Sequence, residues 1–331
     1  MSGARVYAAI TGMGHYTPAQ VMTNADMAQL VDTSDEWIGS RTGIRERRIA
    51  APGEKTSDMG IAAARMAMKN AGITGEDIDA IYFATCSGDM LFPSTACFVQ
   101  QALGAKRAYG FDLSSACAGF LMALEVATGA IESRRIRTAL VIGAEKLSAI
   151  TDWSDRATCV LFGDGAGAAI VQASDRPGVL STLLGVDGSH ADILSLPASG
   201  TLLPTSERTL RQHLQFVHMS GGETFKIAVN TMVHAAREAV ARAGLTFDDI
   251  QIMIPHQANL RIVEAVAKRL GPGIIERAYL NLDRFGNTSA ASIPLAFSEA
   301  VSLGKVKSGD RVLMVAFGGG LSWGGAVVEW L

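Results

Sequence analysis

Three side chains that could share one reaction, Cys117, His256 and Asn287, are spread over this 331-residue chain. Cys117 lies in the segment Asp112-Leu-Ser-Ser-Ala-Cys117-Ala-Gly-Phe, where small residues precede an apolar run that predicts a helix. The free N–H groups at a helix N-terminus favour a thiolate, so we expect this thiol to be a nucleophile near neutral pH. The small neighbouring residues leave room for an incoming thioester.

His256 and Asn287 can supply the hydrogen-bond donors that such chemistry needs. His256 ends an apolar strand candidate in Ile252-Met-Ile-Pro-His-Gln-Ala-Asn, and Asn259 can cap a helix running to Gly271. A neutral imidazole and an amide can together stabilise a carbonyl oxygen that becomes an enolate, so neither a metal nor an organic cofactor is required. Each residue type alone is more often a core, surface or turn residue, so the interpretation depends on the three meeting.

An internal repeat predicts that the three residues lie close together in the fold. Residues 63–78 and 235–250 align at an offset of 172 (237 − 65), and nine of the sixteen positions are identical. The same offset pairs Cys117 with Ser289, inside Asn287-Thr-Ser-Ala-Ala-Ser, which also precedes an apolar run. Chance similarity between two Ala-rich helices is the alternative. If the repeat is real, equivalent elements of two halves carry the Cys and the Asn.

The elements around the repeat predict two similar α/β halves, residues 1–175 and 176–331, joined near Asp175-Arg-Pro-Gly. A polar stretch from Gly188 to Gln212 interrupts the second half, and long loops of this kind are often functional. Apolar segments predict three pairs of strands. These are 80–84 with 250–254, 139–143 with 312–316, and 168–171 with 326–328.

The composition excludes several classes of protein. A net charge of −3 and a pI near 6.1 provide no overall field for nucleic acid or an anionic membrane. The opening residues do not resemble a signal peptide and no apolar run reaches membrane-spanning length, so we expect a cytoplasmic protein. The four cysteines form no C-x-x-C pair, so neither a zinc site nor a disulfide framework is indicated.

The sequence resembles the thiolase fold, two similar α/β halves layered α/β/α/β/α, and within it the β-ketoacyl-acyl carrier protein synthase III family. The resemblance covers almost the whole chain, and its motifs are specific only in combination. They are Thr33-Ser-Asp-Glu-Trp-Ile, Arg41-Thr-Gly-Ile-Arg-Glu-Arg, Ser115-Ala-Cys-Ala-Gly-Phe, Phe162-Gly-Asp-Gly-Ala-Gly-Ala, Pro255-His-Gln-Ala-Asn, Gly286-Asn-Thr-Ser-Ala-Ala-Ser-Ile-Pro and Phe317-Gly-Gly-Gly.

The resemblance implies an acyltransferase that begins type II fatty acid synthesis in two steps. Cys117 takes an acyl group from acyl-CoA, and malonyl-acyl carrier protein then loses carbon dioxide so that its enolate attacks the acyl-cysteine. In the family pattern His256 and Asn287 stabilise the enolate, and the N–H groups of Cys117 and Gly319 form an oxyanion hole. Coenzyme A enters as part of the substrate, and no cofactor is implied.

The resemblance also implies binding residues. Trp37, Arg41 and Arg156 match positions that hold the adenine and phosphates of coenzyme A. The positions matching the pantetheine tunnel are Thr33, Gly221, Phe225, Ala258 and Asn259. Phe92 matches a residue that closes the acyl pocket across a homodimer interface. Lys226, Arg261, Lys268 and Arg269 match a basic rim that docks the acidic carrier protein, although exposed helices carry such charges routinely.

Three other interpretations remain open. A condensing enzyme of specialised metabolism could use the same three residues on other acyl thioesters. A nucleotide-binding oxidoreductase is suggested by Gly163-Asp-Gly-Ala-Gly, but the motif lacks the G-x-G-x-x-G spacing and leads into a strand candidate. A non-catalytic binding module is the third. The length and branching of the acyl primer are not predicted.

Overall fold

The structure is a computed structural model that describes residues 5–331; residues 1–4, the start of the predicted N-terminal half, lie outside it. The strands are β1 (Tyr7–Tyr16), β2 (Gln20–Thr23), β3 (Glu46–Ile49), β4 (Ala80–Ala84), β5 (Tyr109–Leu113), β6 (Thr138–Glu145), β7 (Gly165–Ser174), β8 (Val179–Val186), β9 (Leu194–Ser195), β10 (His218–Met219), β11 (Ile252–Pro255), β12 (Arg311–Gly318) and β13 (Ser322–Glu329). The α-helices are α1 (Asn24–Met27), α2 (Asp35–Thr42), α3 (Thr56–Ala71), α4 (Thr95–Ala102), α5 (Gly119–Glu132), α6 (Arg156–Cys159), α7 (Glu207–Arg211), α8 (Gly221–Arg242), α9 (Leu260–Leu270), α10 (Leu282–Phe285) and α11 (Ser292–Ser302).

Two sheets with the same strand order form the framework. One has the order β1-β7-β6-β4-β5 and the other β8-β13-β12-β11. In both, the first three strands are antiparallel and the next pair, β6 with β4 or β12 with β11, is parallel. A single parallel bridge between Met253 and Ala278 stands where β5 stands in the first sheet. The predicted internal duplication is confirmed.

The helices form three layers around the two sheets. Helices α5 and α11 lie between the sheets and share one hydrophobic core with both, including Phe120, Leu124 and Phe297, each about 1% exposed or less. Helix α3 packs on the outer face of the first sheet, and α8 with α9 packs on the outer face of the second. The predicted α/β/α/β/α arrangement is therefore confirmed. Within residues 5–331, no helix has the length and apolar character to cross a membrane.

Identical hydrogen bonds explain why the repeat extends beyond the helices. Thr74 and Asp77 form a capping box in which the Thr74 N–H donates to the Asp77 carboxylate at 2.8 Å. Thr246 and Asp249 form the same box with the same 2.8 Å contact. Each box turns the chain from the helix into the next parallel strand, so the repeated Thr and Asp have a structural role.

The predicted strands are present, with one displaced start. The segment predicted at 250–254 begins as a strand only at Ile252 and ends at Pro255, because Ile250 still closes the short 3-10 helix Phe247–Asp249. The other five predicted segments lie within β4, β6, β7, β12 and β13. Strand β7 ends at Ser174 and β8 begins at Val179, on either side of the predicted junction, and the division of the chain at residue 175 stays a prediction.

The turn that carries Cys117 has its counterpart one residue later than predicted. The 3-10 helices Ala116–Ala118 and Ser289–Ala291 lead into α5 and α11 at an offset of 289 − 116 = 173. Both begin on a residue with positive φ, 42° at Ala116 and 48° at Ser289. Cys117 therefore corresponds to Ala290, because one extra residue lies between β11 and the second turn.

Candidate active site

One cavity of about 880 Å³ brings Cys117, His256 and Asn287 together from three different elements. The other predicted site residues in its wall are Trp37, Arg41, Gly221, Phe225, Ala258, Asn259, Arg261 and Gly319. The predicted site residues outside its wall are Thr33, Phe92, Arg156, Lys226, Lys268 and Arg269. The cavity therefore runs from the Trp37 region to the three candidate catalytic residues.

Cys117 is held at the start of α5 by a close approach of the second half. The residue is 8% exposed, and a Cβ on Gly318 would lie 2.6 Å from its backbone nitrogen, so only glycine fits at position 318. The Ser322 hydroxyl lies 3.0 Å from the Ser115 carbonyl oxygen and 3.1 Å from that of Gly319. These contacts place the N–H groups of Cys117 and Gly319 in neighbouring segments, as an oxyanion hole requires.

The expectation of a thiolate near neutral pH is wrong for the resting site. The pKa of the Cys117 thiol is raised to about 12: burial raises it most, the Ser289 hydroxyl lowers it, and the Glu145 carboxylate raises it. Desolvation by burial is the largest cause, and it disfavours the charged thiolate. Cys117 is therefore a neutral thiol at rest, and its proton must leave during attack.

His256 is a neutral imidazole fixed at the end of β11. It is 3% exposed, and burial lowers its pKa to about 3. Its backbone N–H donates to the Val315 carbonyl at 2.8 Å, and its Nδ1 lies 2.7 Å from the Ser292 hydroxyl oxygen. When Ser292 donates to Nδ1, the ring proton is on Nε2, which is then a hydrogen-bond donor.

Asn287 is fixed between the two halves of the chain. Its backbone N–H donates to the Leu161 carbonyl at 2.8 Å, and its own carbonyl accepts from Gly163 at 3.0 Å. Its side-chain Oδ1 accepts from the Ser289 N–H at 2.9 Å. Because Oδ1 is engaged within the turn, the Nδ2 group is the end of the amide that can serve a ligand.

Trp37, in another part of the cavity wall, has two guanidinium groups near its ring. The guanidinium carbon of Arg156 is 4.9 Å from the Trp37 ring centroid, and that of Arg41 is 5.5 Å away. Arg156 also donates to the Asp32 carbonyl at 2.9 Å, which orders its side chain. An aromatic face flanked by exposed cations suits a purine with phosphates. Thr33 does not line the cavity, and its buried hydroxyl has no protein partner within residues 5–331.

The predicted docking residues lie on two neighbouring helices. Lys226 is exposed on α8, and Arg261, Lys268 and Arg269 are exposed on α9, with Asn259 capping α9 as predicted. Of these, only Arg261 reaches the cavity, where its guanidinium carbon lies 5.8 Å from the ring centroid of Phe225. The structure thus brings one of the four cations, Arg261, to the cavity and leaves the other three exposed on the same two helices.

The polar stretch from Gly188 to Gln212, which the sequence predicted to be an irregular segment bordering the site, does border the cavity. It contains the short strand β9 and the helix α7. Strand β9 pairs antiparallel with β10, and these two strands and the residues beside them place Leu194, Leu196, Val217 and Met219 in the cavity wall. These apolar side chains give the site a surface suited to an acyl chain.

Sequence reasoning missed three residues that lie near the candidate catalytic residues. Ser292 holds the His256 ring, and its place in the quoted segment that starts at Asn287, as the first residue of α11, was the available signal. Glu145 is fully buried beside the cavity, and Cys86 lines it. Neither Glu145 nor Cys86 had a signal in one sequence, because their proximity to Cys117 depends on the order of the strands.

The glycine-rich motif at Gly163, on which the nucleotide-binding interpretation depended, does not have the structure of a nucleotide-binding loop. Gly163 is followed by Asp164 and the strand β7, so the glycine-rich segment leads into a strand and provides no helix N-terminus for phosphate. Asp164 is buried, and its carboxylate accepts from the N–H groups of Ala50 and Ser148, both at 2.8 Å. The motif has a structural role. Among residues 5–331, no group of three or more His, Cys, Asp or Glu is arranged to hold a metal.

Comparisons with known proteins give one consistent result. Two family descriptions match, "3-Oxoacyl-[acyl-carrier-protein (ACP)] synthase III" over residues 111–188 and its C-terminal counterpart over residues 240–330. The chain is 51% identical over 325 residues to the β-ketoacyl-[acyl-carrier-protein] synthase III of Roseiflexus sp. (strain RS-1), covering 98% of each chain.

Solved structures agree with this result. The crystal structure of 3-oxoacyl-[acyl-carrier-protein] synthase III from Aquifex aeolicus VF5 has a TM-score of 0.89 at 45% identity, covering 97% of this chain and 99% of that one. The priming β-ketosynthase from the R1128 polyketide biosynthetic pathway has a TM-score of 0.92 at 38% identity, covering 99% and 98%.

Proposed function

The chain belongs to the β-ketoacyl-[acyl-carrier-protein] synthase III family, and we propose that Cys117, His256 and Asn287 are the residues that carry out its reaction. That reaction is the initiating condensation of type II fatty acid synthesis, in which an acyl group from acyl-CoA is joined to malonyl-acyl carrier protein. The observation that carries the proposal is the convergence of a buried thiol, a neutral imidazole and an oriented amide on one cavity.

In the first half-reaction the Cys117 sulfur attacks the acyl-CoA thioester. The thiol proton leaves with the departing CoA sulfur, so the acyl group moves from one sulfur to another and the charge is conserved. The tetrahedral intermediate has a negative oxygen, for which the N–H groups of Cys117 and Gly319 are the proposed donors. A thiol with a high pKa requires that proton transfer accompany the attack.

In the second half-reaction malonyl-acyl carrier protein occupies the place that CoA has left. The bond to the malonyl carboxylate breaks, carbon dioxide departs, and the electron pair becomes an enolate. His256 Nε2 and Asn287 Nδ2 are the proposed donors to the enolate oxygen. The enolate carbon then attacks the acyl-cysteine carbonyl and the carbon–sulfur bond to Cys117 breaks, which releases the 3-ketoacyl product. Cys117 leaves as a thiolate and takes up one proton from solvent, which restores the resting thiol. A neutral His256 donates to the oxygen without giving up its proton.

The remaining binding roles are assigned on the same basis. Trp37, Arg41 and Arg156 are proposed to hold the adenine and phosphates of coenzyme A, and the pantetheine arm is proposed to pass Phe225 and Asn259. Thr33, Gly221 and Ala258 are also proposed to line the pantetheine tunnel. The cations Lys226, Arg261, Lys268 and Arg269 are proposed to dock the acidic carrier protein at the opening.

A homodimer is part of the proposal. Phe92 is 84% exposed, and β5, an edge strand of its sheet, exposes Tyr109 and Phe111 to 49% and 40%. Exposed apolar residues beside an unpaired strand edge favour association with another chain. We propose that Phe92 reaches the acyl pocket of a second copy.

We propose further that the reaction uses acyl-CoA as a substrate and no separate cofactor, and that the protein is cytoplasmic.

The test compares two malonyl donors. With an acyl-CoA primer, we expect 3-ketoacyl product from malonyl-acyl carrier protein at a much higher kcat/KM than from malonyl-CoA. The opposite preference would favour a condensing enzyme of specialised metabolism, a second candidate that the similarity to a polyketide priming ketosynthase supports. Product from neither donor, with normal acylation of Cys117, would contradict both.

A further inference from the structure

A buried carboxyl group that the proposed mechanism does not use lies beside the nucleophile. Glu145 is 0% exposed and stands at the last position of β6. Its side chain faces the segment Thr85–Ser87, which follows the parallel strand β4. Cys86 of that segment lines the same cavity as Cys117. Two groups that can ionise, the Glu145 carboxyl and the Cys117 thiol, therefore share one desolvated region.

Four donors converge on Glu145 from that segment. The Thr85 hydroxyl donates to Oε2 at 3.1 Å, and the Ser87 hydroxyl donates to the same oxygen. The Cys86 N–H lies 3.1 Å from Oε2, and the Cys86 thiol donates to Oε1 at 3.3 Å. The segment thus closes around one carboxyl group and depends on it for its shape.

The directions of these hydrogen bonds fit a carboxylate. The Ser87 hydroxyl oxygen already accepts from the Lys146 N–H at 2.9 Å, so its single proton is available to Glu145. The Thr85 hydroxyl oxygen already accepts from the Ser87 N–H at 3.1 Å, so its proton is available as well. A proton on Oε2 would compete with these two donors for the same oxygen. Burial raises the pKa of Glu145, and the four donors oppose that change.

Among residues 5–331, the hydrogen-bond partners of the Glu145 carboxylate are all neutral groups. The ammonium group of the adjacent Lys146 points away and donates to the carbonyl oxygens of Ala51 at 3.0 Å and Glu54 at 2.6 Å. The titratable groups that face Glu145 are the thiols of Cys86 and Cys117, and the carboxylate raises the pKa of both. A thiolate at Cys117 would be a second negative charge in the same desolvated region.

We propose that Glu145 is a positioning residue of this site: it fixes the Thr85–Ser87 segment as a wall of the cavity, and its negative charge opposes ionisation of Cys117 in the resting enzyme. The inference deepens the proposed function and rests on Cys117 as its nucleophile. As a consequence, the Cys117 thiol stays protonated and resists alkylation until a thioester binds in the site.

The test is the alkylation rate of Cys117 by iodoacetamide, measured on the Cys117 peptide by mass spectrometry so that Cys86 and Cys97 do not interfere. Glu145→Gln removes the charge and keeps the shape. Thiolate concentration rises about tenfold for each unit by which the thiol pKa falls, and we expect at least a roughly threefold faster reaction at fixed pH. Glu145→Asp keeps the charge but shortens the side chain, and its rate should stay within about twofold of the wild type.

Two results would overturn the inference. One is a Glu145→Gln rate within about twofold of the wild type, and the other is an equal acceleration in both variants, which would indicate an opened cavity. Glu54→Gln is the matched control, because Glu54 also accepts from a hydroxyl and an N–H, those of Tyr16 and Ala51, but outside the cavity wall. Its rate should equal that of the wild type.

A measurement on the unaltered enzyme keeps the inference testable if Glu145→Gln does not fold. The alkylation rate of wild-type Cys117 should still be rising at about pH 10, and a plateau below about pH 8 would contradict the inference. Failure of the proposed function would look different. In that case wild-type Cys117 would not be acylated by any acyl-CoA, whatever the alkylation rates of the variants.

Discussion

Replacing Gly318 with alanine tests how closely the second half of the chain must approach the nucleophile. A Cβ at this position would lie 2.6 Å from the Cys117 nitrogen and 3.2 Å from its Cα, whereas ordinary contact begins at 3.4 Å. The two backbones would have to separate by 3.4 − 2.6 = 0.8 Å. A displacement of about 1 Å at a reacting group can cost about 100-fold in rate.

We therefore expect Gly318→Ala to acylate Cys117 about 100-fold more slowly than the wild type, with a loss of about 1–3 kcal/mol in the free energy of unfolding. The assay is the rate of mass increase of the intact protein after mixing with acyl-CoA, with thermal unfolding as a check on folding. Gly129→Ala is the matched control, because a Cβ there, in the last turn of α5, meets no atom of residues 5–331 within 4 Å apart from the backbone of its own helix. An acylation rate for Gly318→Ala within about threefold of the wild type would refute the reasoning.

Three further predictions follow from the catalytic and docking assignments. His256→Ala and Asn287→Ala should still acylate Cys117 but should lose about 100-fold or more in decarboxylation of malonyl-acyl carrier protein, since each removes a donor to the enolate oxygen; loss of acylation with normal decarboxylation would reverse their roles. Because burial lowers the pKa of His256 from 6.5 to about 3, it stays neutral at physiological pH, and the decarboxylation rate should show no ionisation near pH 6.5; a break there would contradict a neutral donor. Reversing the charges of Arg261 and Lys268 should raise KM for the carrier-protein substrate more than KM for acyl-CoA, and equal increases would argue against a docking surface.

The sequence alone predicted the elements whose signals are local. The strand at 80–84 is correct at both ends, because a continuous apolar run bounded by polar residues reports a strand buried on both faces. The cap of α9 by Asn259 is also local, since its Oδ1 accepts from the Arg261 N–H two residues away at 2.9 Å. The repeat predicted the duplicated architecture, because the same helix and capping box precede a parallel strand in each half.

The pKa of Cys117 could not be predicted from local sequence signals. The position of Cys117 before a helix indicated a low pKa, but burial raises this pKa, and part of that burial comes from the close approach of Gly318 in the other half of the chain. The role of Glu145 depends on β6 and β4 being neighbours, which no local pattern encodes. The one-residue difference between the two turns required the structure, because an offset derived from helices carries no information on insertions between them.

Intact-protein mass spectrometry with a panel of acyl-CoAs tests the role of Cys117 most directly. Each accepted primer should add the mass of one acyl group to the wild-type protein and none to Cys117→Ala, and the preferred chain length would identify the primer. The same adduct on Cys117→Ala, or no adduct with any primer on a folded wild-type protein, would contradict the assignment of Cys117 as the nucleophile.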